Sequence, residues 1–163
     1  MTPLISADEL LARIDDLSLV VCDVRSYLTD PSRGRREYGE AHLPGAVFVD
    51  SNDDLADLSQ AGRGRHPLPS VDDFVALLRR LGISPGHTVV AYDGSGGANA
   101  ARLWWMLRSI GHEHVAVLDG GLVAWIDAGG PLTAAVPERR PTEYPVAVRA
   151  WRGVVDADDI EGL

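Results

Sequence analysis

Four short apolar runs, separated by segments with helical spacing, constrain the fold of this 163-residue chain more than any other feature. The runs are rich in β-branched residues and lie at 19–24, 46–49, 88–92 and 115–118. Because they show no regular polar alternation, they predict strands buried on both faces, as in a parallel sheet. Parallel strands need helical crossovers between them, so the pattern indicates an α/β fold.

Helix signals fall around and between these runs. Serines with an acidic residue three positions later predict helix starts after Ser6 and Ser70, and glycines predict helix ends at Gly82, Gly111 and Gly129. The predicted helices cover about residues 7–15, 71–81, 100–110 and 122–128. Residues 50–69 have no periodicity, and a loop of this length in a compact domain is usually functional or mobile.

The charge composition excludes several classes of function. The net charge is −9, which opposes binding to nucleic acids or anionic membranes. All 15 basic residues are arginines, so no mechanism here uses a Schiff-base or phosphate-loop lysine.

The single cysteine, Cys22, bears on both compartment and chemistry. One cysteine forms no internal disulfide and no cluster for a metal, and residues 1–20 show neither a signal peptide nor a membrane span. We therefore expect a cytoplasmic protein with no metal and no cofactor. Cys22 lies in an apolar run beside Asp23, which favours a buried structural cysteine over a nucleophile. His112 and His114 are expected at the surface.

A glycine-rich segment follows the third apolar run. It comprises Asp93, Gly94, Ser95, Gly96, Gly97, Ala98 and Asn99. A glycine-rich turn between a strand and a helix presents backbone N–H groups to an anion. It does not match the dinucleotide fingerprint, and a tight turn that binds nothing is the alternative.

The C-terminal part of the chain differs from the rest. Residues 131–152 are rich in proline and arginine, which predicts an extended linker outside the core. The pattern of residues 4–10 then recurs at 154–160: two aliphatic residues, a helix N-cap, alanine, two acids and an aliphatic residue. This weak repeat indicates that a second copy of the domain begins here.

Two motifs resemble the signatures of the rhodanese-like sulfurtransferases. The first joins CDVR at 22–25 to YGEAHLPGA at 38–46, and the second is LDGGLVAW at 118–125. Asp23 and Arg25 can lock the loop at 39–46 through charge-assisted hydrogen bonds, and the glycines of the second motif shape a turn. The scaffold residues of these signatures are Asp23, Arg25, His42, Gly45, Asp119, Gly120, Gly121 and Trp125.

Three further segments are similar to the N-terminal domain of the family's tandem members, the thiosulfate and 3-mercaptopyruvate sulfurtransferases. They are HPLP at 66–69, VAYD at 90–93 and RLWW at 102–105. The resemblance implies a rhodanese-like domain at 1–132, with a central parallel sheet of about five strands and helices on both faces. A linker at 133–153 and the beginning of a second, truncated rhodanese-like domain at 154–163 would follow.

The resemblance also assigns a role to Asp93. In this family a catalytic cysteine opens a loop whose N–H groups surround its sulfur, takes sulfane sulfur from a donor as a persulfide, and passes it to a thiol or cyanide. Asp93 occupies that position, and a carboxylate forms no persulfide. The resemblance therefore implies a catalytically silent domain whose partner is a C-terminal rhodanese domain that carries the cysteine.

By the same resemblance, the 50–69 loop covers the partner domain's active-site mouth. His66 matches a position that lines the substrate entrance. Arg63 and Arg65 either steer a small anionic sulfur donor or are solvated loop charges. Arg102 is expected to pair with an acid in a structural role.

The leading interpretation is thus the non-catalytic N-terminal domain of a tandem sulfurtransferase, inactive by itself. A free-standing regulatory module that binds an anion or a partner protein is the second. An enzyme that uses Asp93 as nucleophile or base is the third and weakest, because the sequence offers Asp93 neither a metal site nor a second positioned carboxylate. The sequence does not distinguish thiosulfate from 3-mercaptopyruvate as donor.

Overall fold

One five-stranded, all-parallel sheet forms the centre of the computed structural model, which describes residues 1–94 and 96–163. The strands are β1 (Leu4–Ile5), β2 (Leu19–Asp23), β3 (Val47–Phe48), β4 (Thr88–Tyr92) and β5 (Val115–Leu118). Their spatial order is β1-β5-β4-β2-β3. The β2–β4 pair is in register from Leu19 opposite Thr88 to Asp23 opposite Tyr92. The predicted parallel α/β architecture is therefore confirmed.

Six helices accompany the sheet in the described residues. They are α1 (Ala7–Arg13), α2 (Arg33–Glu40), α3 (Val71–Arg80), α4 (Ala98–Ser109), α5 (Gly121–Asp127) and α6 (Ala157–Glu161). The core has two parts, one on each face of the sheet. Residues of α3 and α4 pack on one face, and residues of α1, α2 and α5 pack on the other. Successive residues of β2 alternate between the two parts, which explains why its burial is continuous.

Two elements were absent from the sequence prediction. β1 has only two residues, and α2 has the charged sequence RGRREYGE, which shows no apolar periodicity. Packing holds α2 in place: Tyr38 is buried, and Gly34 lies so close to the Arg25 carbonyl that a Cβ would collide with it. Residues 50–69, all of which are described, contain neither helix nor strand.

The segment at 131–152, here called the strap, lies against the domain. It has no helix or strand, but the prediction that it lies outside the core is wrong. Tyr144 is buried in the core, and Trp151 packs against Phe74 and Trp105. Arg139 donates to the carbonyls of Leu81 and Gly82. The strap therefore supplies hydrogen-bond donors to the backbone just after the C-terminal end of α3. Its apolar residues are too widely spaced for a periodic signal.

None of the helices in the described part of the chain has the length and apolar character needed to cross a membrane.

Candidate functional site

The carboxyl ends of the parallel strands place four loops at one edge of the sheet. These loops follow β2, β3, β4 and β5. Open α/β sheets bind ligands at this edge. The candidate site residues of the 93–99 segment and of the 50–69 loop both lie here.

Asp93 follows β4 and points into its own loop. The side chain is almost fully buried, with 1% of the residue exposed. Oδ1 accepts a hydrogen bond from the Gly97 N–H at 2.9 Å, and Oδ2 accepts one from the Ala100 N–H at 3.0 Å. The carboxylate therefore caps the start of α4 from outside the helix, where negative charge is favoured.

Glycines make this loop possible. Gly96 and Gly97 have φ of 84° and 90°, a left-handed conformation that other residues rarely adopt. Gly121 approaches the Asp93 carbonyl so closely that a Cβ there would collide with it. That carbonyl accepts from the Leu122 N–H, which ties the loop to α5. Gly94 and Ala98 are exposed, and Ser95 lies outside the described residues.

A cavity of about 470 Å³ opens beside this loop. It brings His66 from the 50–69 loop together with Asn99 and Arg102 from α4. Ser51 forms part of its wall, and its buried hydroxyl has no hydrogen-bond partner among the described residues. Sequence reasoning did not identify Ser51, because a lone serine in a long loop carries no pattern.

Arg102 differs from its expected role. Its guanidinium donates through Nε and Nη2 to the Leu55 carbonyl, and through Nη2 to the His66 carbonyl at 3.0 Å. No carboxylate of the described residues lies within ion-pair distance, so the expected pairing with an acid is wrong. Burial lowers the pKa of the Arg102 guanidinium, although a guanidinium stays charged. The cavity wall thus carries a positive charge without a counter-ion among the described residues.

His66 is half-buried, and its Nε2 lies 2.9 Å from Asn52 Oδ1. Since an amide oxygen accepts, Nε2 carries the proton and Nδ1 remains an acceptor in the neutral ring. Arg65 lines a smaller adjoining cavity of about 210 Å³, which also includes His66. Arg63 is exposed and lines neither of these two cavities.

The first signature forms a buried charged network. Arg25 Nη2 lies 2.7 Å from Asp23 Oδ2 and also donates to the Ala41 carbonyl at 2.7 Å. The Tyr92 hydroxyl donates to the same carboxylate at 2.6 Å, and burial raises the pKa of this phenol. The network ties β2, β4 and the loop at 41–46 together. Gly45, in that loop, has a positive φ of 73°.

The second signature packs α5 on the sheet. Trp125 is fully buried and donates from Nε1 to the Pro131 carbonyl at 2.8 Å. Gly120 has a positive φ of 76° and leaves no room for a Cβ beside Ala124. Asp119 is exposed, and its backbone N–H bonds to the Ile5 carbonyl.

The other candidate groups lie away from the cavity. Cys22 is fully buried in β2, and burial raises the pKa of its thiol to about 12. His114 is exposed, but the expectation for His112 is wrong: it is 4% exposed and hydrogen-bonded to Tyr144. No group of three or more possible metal ligands occurs among the described residues.

These groups can hold a small anion beside the 93–99 loop. Arg102 supplies positive charge, and His66 places an imidazole beside it in the same cavity. An accessible nucleophile is missing from the described part of this site, because Asp93 is engaged by its own loop and the Cys22 thiol is buried.

Comparison with known proteins gives a consistent set of relatives. A model of the rhodanese-like domain matches residues 6–128. SseB of Mycobacterium tuberculosis, named for a proposed thiosulfate sulfurtransferase activity, is 48% identical over 132 residues, which cover 79% of this chain and 45% of SseB. Thiosulfate/3-mercaptopyruvate sulfurtransferase 2 of Arabidopsis thaliana is 42% identical over 162 residues, or 99% of this chain and 46% of the relative.

The structural comparison agrees with the sequence comparison. SseA of Escherichia coli, a 3-mercaptopyruvate sulfotransferase structure with the rhodanese fold, superposes with a TM-score of 0.83 and 31% identity. The match covers 99% of this chain and 61% of the SseA chain. The chain spans about half the length of the curated relatives it matches.

Proposed function

Because the chain belongs to the rhodanese-like domain family, and its relatives are thiosulfate and 3-mercaptopyruvate sulfurtransferases, we propose that it is the non-catalytic N-terminal domain of such an enzyme. The enzyme moves sulfane sulfur from a small anionic donor to a thiol or cyanide. A C-terminal rhodanese domain of the same polypeptide supplies the cysteine, and this domain supplies part of the substrate pocket.

The observation that carries the proposal is the state of Asp93. It follows β4 at the position that, by the family resemblance, corresponds to the catalytic cysteine, and its two oxygens accept hydrogen bonds from the N–H groups of Gly97 and Ala100. A carboxylate has no sulfur to form a persulfide, and its negative charge at the centre of the loop repels an anionic donor. Both facts support a silent loop.

The cavity beside the loop supports a role at the substrate entrance. Arg102 and His66 line it, and Arg65 lines the adjoining one. Thiosulfate and 3-mercaptopyruvate are both small anions. A guanidinium without a counter-ion, next to an imidazole, attracts a carboxylate or a sulfonate-like group toward this face of the domain.

The C-terminal residues support a tandem arrangement. Asp156 and Asp159 form the same reciprocal capping box at the start of α6 that Ser6 and Glu9 form at the start of α1. In the first copy, Leu10 is fully buried, whereas its counterpart Ile160 is 59% exposed. The second copy thus has the local structure of the first but none of its core, as the start of another domain would.

Expression of the complete open reading frame tests the proposal. The expected product has a second rhodanese-like domain with a cysteine at the position equivalent to Asp93, and thiocyanate formation from thiosulfate or pyruvate formation from 3-mercaptopyruvate stops when that cysteine is replaced by serine. Replacing Arg102 with methionine should raise KM for the donor about tenfold, since a charge-assisted contact is lost. Arg108, exposed on the same helix, is the matched control.

Two results would contradict this function. One is an open reading frame that ends at Leu163, which would favour the free-standing module. The other is turnover by the 163-residue chain that disappears in the Cys22→Ser variant.

A further inference from the structure

Both ring nitrogens of His42 face carbonyl oxygens. Nδ1 lies 2.7 Å from the Tyr38 carbonyl, and Nε2 lies 2.8 Å from the Ala135 carbonyl. A carbonyl oxygen only accepts, and a neutral imidazole has one N–H and one bare nitrogen. In the neutral ring, one of these contacts would therefore place two lone pairs against each other. Only the imidazolium donates to both partners.

The surroundings of His42 favour a positive charge. The Tyr38 carbonyl belongs to the last turn of α2, where the helix dipole attracts cations. The Tyr38 ring also stacks on the imidazole, with 4.0 Å between centroids and 13° between planes, which suits a cation above an aromatic face.

Other charged groups around the ring are balanced or distant. Asp23 and Arg25 pair with each other, and Arg25 reaches the carbonyl of Ala41, the residue before His42. Glu40, at the end of α2, is exposed. Strap residues 131–137 contain no titratable side chain.

The contact joins two separate parts of the chain. The backbone of His42 forms an antiparallel bridge with Thr133, with N–H to O distances of 2.9 Å in both directions, and its ring then holds the next part of the strap at Ala135. His42 itself is fully buried. It is the point at which the beginning of the strap is fastened to the end of α2.

We propose that His42 is a buried imidazolium clamp: both of its ring N–H groups donate, and together they fasten the beginning of the strap to the end of α2. The inference is independent of the sulfurtransferase proposal, because it needs only the fold of this chain.

His112 provides an internal contrast. Its Nε2 donates to the His87 carbonyl at 2.9 Å, but its Nδ1 faces the Tyr144 hydroxyl at 2.6 Å, and a hydroxyl can donate. A neutral ring satisfies both contacts. The two buried histidines that hold the strap are thus expected to differ in charge.

The first experiment records the ring ¹⁵N resonances of the uniformly ¹⁵N-labelled chain at pH 7. Both nitrogens of His42 should carry protons, whereas His112 should show one protonated and one bare nitrogen. A bare nitrogen on His42 at pH 7 would overturn the proposal. The measurement uses the unmodified chain, so it does not depend on any variant folding.

The second experiment follows hydrogen exchange of the Thr133 amide at pH 7. In His42→Gln, which replaces two charge-assisted donors with a neutral amide, opening of this amide should increase about tenfold. The matched control His112→Gln, whose ring contacts lie at residues 87 and 144, should leave this opening unchanged. Equal opening of Thr133 in His42→Gln and in the unmodified chain would overturn the clamp.

Discussion

Under the proposed function, Asp93 takes the place of the catalytic cysteine while keeping the shape of its loop. The N–H groups of Gly97 and Ala100 converge on the carboxylate, which acts as an anion built into the chain. By the family resemblance, an equivalent set of amides surrounds the sulfur of an active domain. The geometry therefore needs an acceptor at this position, and a carboxylate satisfies that need without providing a nucleophile.

Removing this acceptor should destabilise the domain. Asp93→Ala leaves two amides at the start of α4 without their partners, which should lower the free energy of unfolding by about 1–3 kcal/mol. Urea unfolding followed by circular dichroism measures the loss. Asp119→Ala is the control, because Asp119 is exposed and its carboxylate forms no hydrogen bond with the described residues. Equal stability of Asp93→Ala and the unmodified chain would mean that the amides find other partners.

The sequence was sufficient to single out Asp93, His66 and Cys22 as candidate residues. It did not predict which groups form hydrogen bonds with the candidate side chains. Asp93 and Cys22 stand out through their place at or in a strand, and His66 through the resemblance. The contact of His66 with Asn52 and the carbonyl partners of Arg102 depend on how the 50–69 loop folds back. Because the sequence of that loop has no hydrophobic periodicity, no sequence pattern predicts the course of its backbone.

At the scale of elements, the apolar runs and caps determined what could be predicted. β4 and β5 have the predicted bounds, and α3 and α4 begin and end within about two residues of them. The sequence patterns did not predict β1 and α2, because tertiary contacts stabilise these two elements and their own sequences do not. The strap was wrongly predicted to lie outside the core for a related reason. Proline and arginine dominate its composition, and its few anchoring side chains are spread over 22 positions.

Trp151 should be a main anchor of the strap. Its ring centroid lies 5.3 Å from that of Phe74, and its Nε1 donates to the Pro69 carbonyl at 2.7 Å. Because Trp151 is only partly buried, Trp151→Ala should cost about 2 kcal/mol of unfolding free energy, less than the roughly 3–5 kcal/mol of a fully buried aromatic residue.

Urea unfolding followed by far-ultraviolet circular dichroism provides the measurement for Trp151→Ala. The exposed neighbour Arg149→Ala should change stability by no more than about 0.5 kcal/mol. If both variants unfold at the same urea concentration as the unmodified chain, the strap is not part of the cooperative unit.

At the scale of the whole molecule, the sheet explains why candidate residues far apart in sequence meet. Residues 66, 99 and 102 converge because the 50–69 loop and the segment that leads into α4 both follow parallel strands that end at the same edge. The class of sheet was predictable from the apolar runs. The strand order β1-β5-β4-β2-β3 was not, since it depends on the crossovers and on a two-residue edge strand.

The whole-molecule view also predicts that a cysteine alone does not restore activity. In Asp93→Cys the loop amides would favour a thiolate. An anionic donor would still approach a chain of net charge −9, and residues 94–99 contain no basic side chain to neutralise it. Arg102 already directs Nε and Nη2 to backbone carbonyls. Under the proposed function, the cavity also needs the C-terminal domain to close it.

We therefore expect the purified Asp93→Cys chain to form no thiocyanate from thiosulfate and cyanide above the background of Asp93→Ser, which has the same shape without a thiol. Circular dichroism confirms that both variants are folded before the assay. The Cys22 thiol contributes nothing to this background, because its burial in β2 raises its pKa to about 12 and closes access to it. Turnover by Asp93→Cys that Asp93→Ser lacks would contradict this prediction, because it would mean that the loop needs only a thiol to react with the donor.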